Sequence, residues 1–367
     1  TSNRFPEWGR SVCMLTALAL GLVHGGPPPR HHLRPSRAAQ LRCMEDVSLT
    51  DKIAATTDSA KAFSDEPAVI DADAATVADV EKPGATSVGD SGDEERRAAL
   101  ITDLLALAAG SCRGEAASES DLKSARSLVA ELEALNPTPE PTLSPLCEGT
   151  WELVFSDTQL FRSSPFFMAG RAVCEDGAQA AQYDWFCDMH RAALAISTIG
   201  KVRQIVGRGS VVSEFEVSAG AVPFLSDALP FLRYSGGMPL AVSGAIVSTA
   251  SVESNLGDAW RLLMDTVEIK GSNVPLLRQA LDAGLRLQTR DLGSALEATV
   301  PQYANPRPKF QTSYLDGSVR VSRDQDGKLF VYRKESGEAS PTEYSAVAAD
   351  LGVGALMEGM ARSFMGS

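Results

Sequence analysis

Between Trp151 and Arg333 apolar side chains recur at every second position, run after run. Trp151, Leu153 and Phe155 share one face while Glu152 points away. Val211, Ser213, Phe215 and Val217 oppose Glu214 and Glu216 in the same manner. Further runs of strand character cover Ala192–Thr198, Val202–Val206, Ala245–Val252, Trp260–Ile269, Val319–Arg323 and Leu329–Arg333. Asp326-Gly327 lies between the last two as a hairpin turn, and Asp316-Gly317 marks another turn nearby. About eight strands with one apolar face, and no βαβ rhythm, predict a mainly β fold with some α, a small antiparallel barrel or sandwich. An eight-stranded barrel is just wide enough for one small apolar ligand. Trp151, Leu153, Phe155, Val211 and Phe215 would line such a lumen.

The residues ahead of this region differ from it in kind. Residues 1–44 carry six Arg, no Lys and one acid, Glu7. Their apolar run Val12–Val23 matches a signal-peptide h-region and is too short to span a bilayer. The basic, acid-free stretch 30–43 has transit-peptide chemistry, and the two together suggest two-step import into a plastid bounded by extra membranes. The alternative is a buried apolar helix with a basic flank. The sequence opens on Thr1, so a few upstream residues are expected to be missing. Residues 45–92 turn acidic and Ala-rich, with Phe63 as their one aromatic, and are expected to be a disordered spacer, or else an acidic docking tail. Residues 93–136 carry two helical stripes, Leu100, Leu104, Leu105, Ala108 and then Leu122, Ala125, Leu128, Val129, Leu132, Leu135. The second has Ser120 as its candidate N-cap, and the pair is expected to form a hairpin. The tail, 336–367, places Val353, Leu356, Met357, Met360 and Phe364 at helical spacing, for docking on the barrel rather than insertion into lipid.

The chemistry-bearing residues are sparse. The net charge of −13 argues against nucleic-acid binding, and no apolar run reaches bilayer length. No phosphate loop, dinucleotide fingerprint or nucleophile elbow is present. Of four His only His190 lies outside the targeting segment, so any relay must use it. Cys187-Asp188-Met189-His190 taken with Cys174 as a metal or haem site matches no zinc spacing, and Cys174, Cys187 and His190 lack a fourth ligand; no metal and no cofactor are expected. Cys112, Cys147, Cys174 and Cys187 can pair, Cys174 with Cys187 being nearest, and the connectivity stays open.

Residues 131–167 (ELEALNPTPEPTLSPLCEGTWELVFSDTQLFRSSPFF) closely resemble the signature of the plastid lipid-associated protein family, the fibrillins. Asn136, Pro137, Thr138, Pro139 and Pro141 carry its first part, Gly149-Thr150-Trp151 its opening strand and Phe161–Phe167 its end. Tyr314-Leu315-Asp316, Arg320, Arg323, Gly327, Phe330 and Val331 match its C-terminal pattern, and Arg113-Gly114 its helix connection. The resemblance implies a lipocalin-like β-barrel over 137–335, in a plastid protein of plastoglobules or thylakoids. Such a protein would bind isoprenoid or acyl lipid without catalysis and make only peripheral membrane contact. The lipocalin G-x-W strand implies a Trp151 stacked by a late-strand arginine, which either Arg320 or Arg323 can supply. Pro137 and Pro139 read as a stiff strap, Asp316 and Arg320 as a structural ion pair. Phe166 and Phe167, as strand neighbours, cannot both face the core, so one of them is a candidate for the barrel mouth. Cys174–His190 reads as a long loop peculiar to this chain. A scaffold with a packed interior, or an enzyme on a lipophilic substrate, would satisfy the same pattern.

Overall fold

A computed structural model describes residues 88–193, 197–219, 242–284, 286–299, 303–347 and 349. The expected targeting segment, nearly all of the expected acidic spacer and the helical spacing from Val353 to Phe364 lie outside them.

Two compact units divide the chain, with the break at Leu135/Asn136. The first contains helices α1 (Val88–Gly110) and α2 (Glu119–Ala134). Leu100, Leu104 and Ala108 on α1 and Ala125, Val129 and Leu132 on α2 are buried, and Arg96 pairs with Glu131. Helix α1 starts well before the first apolar stripe. The N-cap of α2 is Ser118 rather than Ser120: its hydroxyl accepts from Asp121 N while the Asp121 carboxylate accepts from Ser118 N, a closed capping box. Between the helices Cys112, Arg113 and Gly114 all take positive φ, the turn that reverses the chain.

The second unit is dominated by one antiparallel sheet of nine strands. They are β1 (Gly149–Ser156), β2 (Ser197–Gly207), β3 (Ser210–Ala219), β4 (Val242–Asn255), β5 (Ala259–Lys270), β6 (Arg286–Gln288), β7 (Lys309–Leu315), β8 (Val319–Arg323) and β9 (Leu329–Ser336). The order is β4-β3-β2-β1-β9-β8-β7-β5-β6, and β4 pairs in addition with β5, so eight strands close into a ring and β6 hangs on β5. Closure leaves little free edge, the usual liability of an antiparallel sheet. Four further helices decorate it: α3 (Pro165–Ala172), α4 (Gly177–Ala193), α5 (Pro275–Asp282) and α6 (Thr289–Thr299).

Several sequence expectations change here. The stretch Cys174–His190 is mostly helix α4 rather than a loop. The run Ala192–Thr198 is no single strand, because α4 reaches Ala193 and β2 begins at Ser197. Phe166 and Phe167 are not strand neighbours. The Ser164 hydroxyl accepts from Phe166 N and Pro165 takes the first helical position, so the motif starts α3. Strands β6 and β7 and the helices α5 and α6 lie outside the runs that the sequence pattern marks.

The candidate functional site: inside the ring

Register decides which side chains face inward. Trp151 stands across from Gln204 on β2, Leu153 across from Tyr332 on β9, and Arg320 across from that same Tyr332. Trp151, Leu153, Val211 and Phe215 belong with Trp260, Phe310 and Phe330 to one buried cluster, so four of the five candidate lining residues face inward. Phe155 does not. A bulge between Leu153 and Phe155 pairs Phe155 with Val331, next to inward Tyr332, and turns it to the opposite face, where it is fully buried but outside the cluster.

One end of the ring is built around Trp151. The indole N–H donates to the Cys147 carbonyl at 2.9 Å, tying it to the 3-10 turn Pro145–Cys147. Arg320, with none of its surface exposed, stacks its guanidinium 5.1 Å from the Trp151 ring, 4.4 Å from Tyr332 and 6.0 Å from Trp260. Arg320 is therefore the late-strand arginine, and Arg323 instead reaches the Gly327 carbonyl at 3.4 Å. Lys334 sits 4.9 Å from the Trp151 ring and donates to the Leu146 carbonyl. Burial pushes the Cys147 thiol up, against the pull of Arg320, and the same cause pushes Lys334 down. Gly149 has φ +124°, and a Cβ there would meet the Ser336 carbonyl oxygen at 2.4 Å, which is why the strand opens on glycine.

A polar stripe crosses the inner face. Gln204, Ser213 and Ser248 occupy matched positions on β2, β3 and β4 and are buried. Ser164 on the approach to α3 meets Ser248, hydroxyl to hydroxyl, at 2.6 Å. Helix α3 thereby packs on β4 and β5, and Phe167 and Met168 join the interior cluster with Phe166 half-buried against it.

The FRSSPFF segment and α4 shape a second buried polar region. Arg162, in the 3-10 turn Leu160–Ser163, pairs with Asp184 at 2.8 Å, Asp326 at 3.4 Å and Asp324 at 3.8 Å, and stacks 5.1 Å from Tyr183. Arg171 adds a bond to Asp326 at 2.7 Å. Burial raises Asp324 despite Arg162 and the Lys328 N–H, and burial also pushes the neighbouring Cys187 thiol up to about 11. On α4 the residues Tyr183, Phe186, Cys187 and His190 fall at i, i+3, i+4 and i+7, a helical stripe that the sequence carries but that reads as loop beside Gly and Asp. His190 is buried among Phe161, Phe167 and Phe186, at ring separations of 4.7, 5.4 and 6.1 Å, and that desolvation lowers its pKa.

The remaining signature residues are structural. Asn136 Oδ1 accepts from Leu315 N at 3.0 Å and Thr138 N at 3.2 Å, while Thr138 Oγ1 donates to the Leu315 carbonyl at 2.7 Å. The NPTP segment, with Pro137 and Pro139 on its exposed side, is thus strapped to the Tyr314-Leu315-Asp316 motif. Asp316 does not pair with Arg320. Its carboxylate accepts from Tyr314 Oη, Ser318 N and Val319 N and holds the β7–β8 turn, whereas Arg320 points inward. Cys147, Cys174 and Cys187 are free thiols, so Cys174 and Cys187 are not joined. Among the described residues no cluster of three or more His, Cys, Asp or Glu is arranged for a metal, and no helix is long and apolar enough to cross a membrane.

Residues 98–183 match the PAP_fibrillin family model. The match contains the helix connection, the NPTP segment, the G-x-W strand and FRSSPFF, the parts whose resemblance to plastid lipid-associated proteins the sequence displays. No curated protein and no solved structure matches the chain.

Proposed function

We propose that this is a plastid lipid-associated protein with a lipocalin-like fold, acting without catalysis and sheltering an isoprenoid or acyl lipid inside the ring. The observation that carries the reading is the closed cycle of eight strands whose inward face is apolar over most of its length. The family match over 98–183 supports it. Burying an acyl or isoprenoid chain against Leu153, Val211 and Phe215 gains about 0.8 kcal/mol for each CH2 group removed from water. Peripheral contact with plastoglobule or thylakoid surfaces fits a chain that would reach its lipid from a membrane face, and the arginine-rich residues 1–44 would serve as the plastid address. Residues 45–92 would be the acidic spacer.

Extraction of the native protein from plastid membranes, followed by mass spectrometry of what accompanies it, tests the reading. One lipid class at near-stoichiometric yield is expected. Delipidated protein that takes up no plastid lipid overturns it.

A second reading, a scaffold with a packed interior, is favoured by one observation: Phe167 and Met168 of α3 share the interior cluster with strand residues. That version expects a stable, lipid-free protein retaining a partner enzyme. An enzyme using His190 would need other titratable groups beside it, and its closest ring neighbours are Phe161, Phe167 and Phe186.

A further inference from the structure

Arg320 is a buried cation that pairs with no carboxylate among the described residues. Nη2 donates to Gln204 Oε1, and the Cys147 thiol is a further side-chain partner of the guanidinium; among the described residues Nε, Nη1 and Gln204 Nε2 meet no oxygen or nitrogen acceptor. The rings of Tyr332, Trp151 and Trp260 lie 4.4, 5.1 and 6.0 Å from the guanidinium carbon and offer it π-faces rather than lone pairs. Among the described residues no carboxylate pairs with Arg320, Lys334 adds a second positive charge beside Trp151, and burial keeps the Cys147 thiol protonated. Glu148, the acid closest in sequence to Cys147, is partly exposed and pairs with Arg208. Every orphan at Arg320 and Gln204 is a donor, so the absent partner is an acceptor, and the uncompensated charge makes it an anionic one.

We infer that the ring takes a long-chain carboxylic acid, its carboxylate on Arg320 and Gln204 and its chain along the apolar inner face. Carboxylate suits the site better than phosphate. One buried guanidinium balances the single charge of a carboxylate and leaves a phosphate dianion half compensated. This deepens the lipid-sheltering reading and rests on it.

The test uses the delipidated full chain and three probes of one chain length: oleic acid, methyl oleate and oleyl alcohol, with squalene as a neutral isoprenoid. The acid is expected to bind at least tenfold more tightly than its ester or alcohol. Gln204→Glu places a carboxylate against Arg320 from within. It is expected to raise the melting temperature of the lipid-free protein and to weaken oleic acid at least tenfold more than methyl oleate. Arg320→Met should erase the preference for the acid; if that variant does not fold, the wild-type probe series and Gln204→Glu decide alone. Equal binding of acid and ester overturns the carboxylate anchor and leaves lipid binding standing, as does binding of squalene alone. Binding of no probe overturns both.

Discussion

Of the arginines buried among the described residues, Arg162 and Arg320 are the deepest, and their surroundings are opposite. Arg162 and Arg320 each stack on a tyrosine, Tyr183 and Tyr332, yet Arg162 faces three aspartates and Arg320 none. The first belongs to a neutralised latch that joins the FRSSPFF turn and α4 to the β8–β9 turn. The second keeps a charge in the ring that no described carboxylate balances. Burial alone therefore does not distinguish structure from function; the accounting of charge and donors does.

The sharpest way to break the comparison is to remove each cation in turn. Arg162→Met leaves Asp324 buried without its counter-charge and is expected to cost about 3–5 kcal/mol in denaturant unfolding. Arg320→Met strands no carboxylate and should cost less than about 2 kcal/mol, the loss of its ring contacts. Equal losses would mean that Arg320 is as structural as Arg162.

Next in size is the backbone beneath Arg320. Gly149→Ala forces a Cβ into the Ser336 carbonyl at positive φ and is expected to cost about 2–3 kcal/mol, read as a lowered unfolding midpoint. Asn136→Ala removes the strap to Leu315 and should cost about 1–2 kcal/mol.

Acid titration gives the smallest and most selective effects. Burial holds His190 below its ordinary 6.5, so the unfolded chain binds a proton that the folded one refuses, and stability falls as pH drops below about 6.5. His190→Phe should flatten that window. Glu335 is held down to about 2, chiefly by its bond from Arg203; its contribution is complete above 4.5 and fades as pH falls from there toward 2. Glu335→Gln should remove the lower window and spare the upper one. Unfolding midpoints from pH 3 to 8 separate the two.

How much of this could be read from residue order varies with the physics involved. Period-two runs expose β1, much of β2, β3, β4, β5, β8 and β9, because alternate burial writes itself directly into a strand. Trp151 and an arginine partner were legible from G-x-W, but the choice of Arg320 over Arg323 waits on register. Phe155 misleads, since the bulge before it is a backbone event that leaves no mark on the pattern. The FRSSPFF phenylalanines mislead for another reason: Ser164-Pro165 is a helix start, and the apolar run beside it masks the cap. Nothing local separates Arg162 from Arg320. The aspartates that neutralise Arg162 come from residues 184, 324 and 326, and only the closed ring brings them to it.

The junction of Asn136 with Leu315, and of β1 with β9, has a temporal meaning. A chain emerging N-terminus first completes β1 long before its partner β9 exists, and β2 can cover only one of the two β1 edges. The last seam of the ring is closed by contacts of long sequence separation, which form slowly and leave a strand edge open to intermolecular pairing meanwhile. Folding to the ring is thus an event after synthesis of the whole domain, and its vulnerable period is set by how long β1 waits.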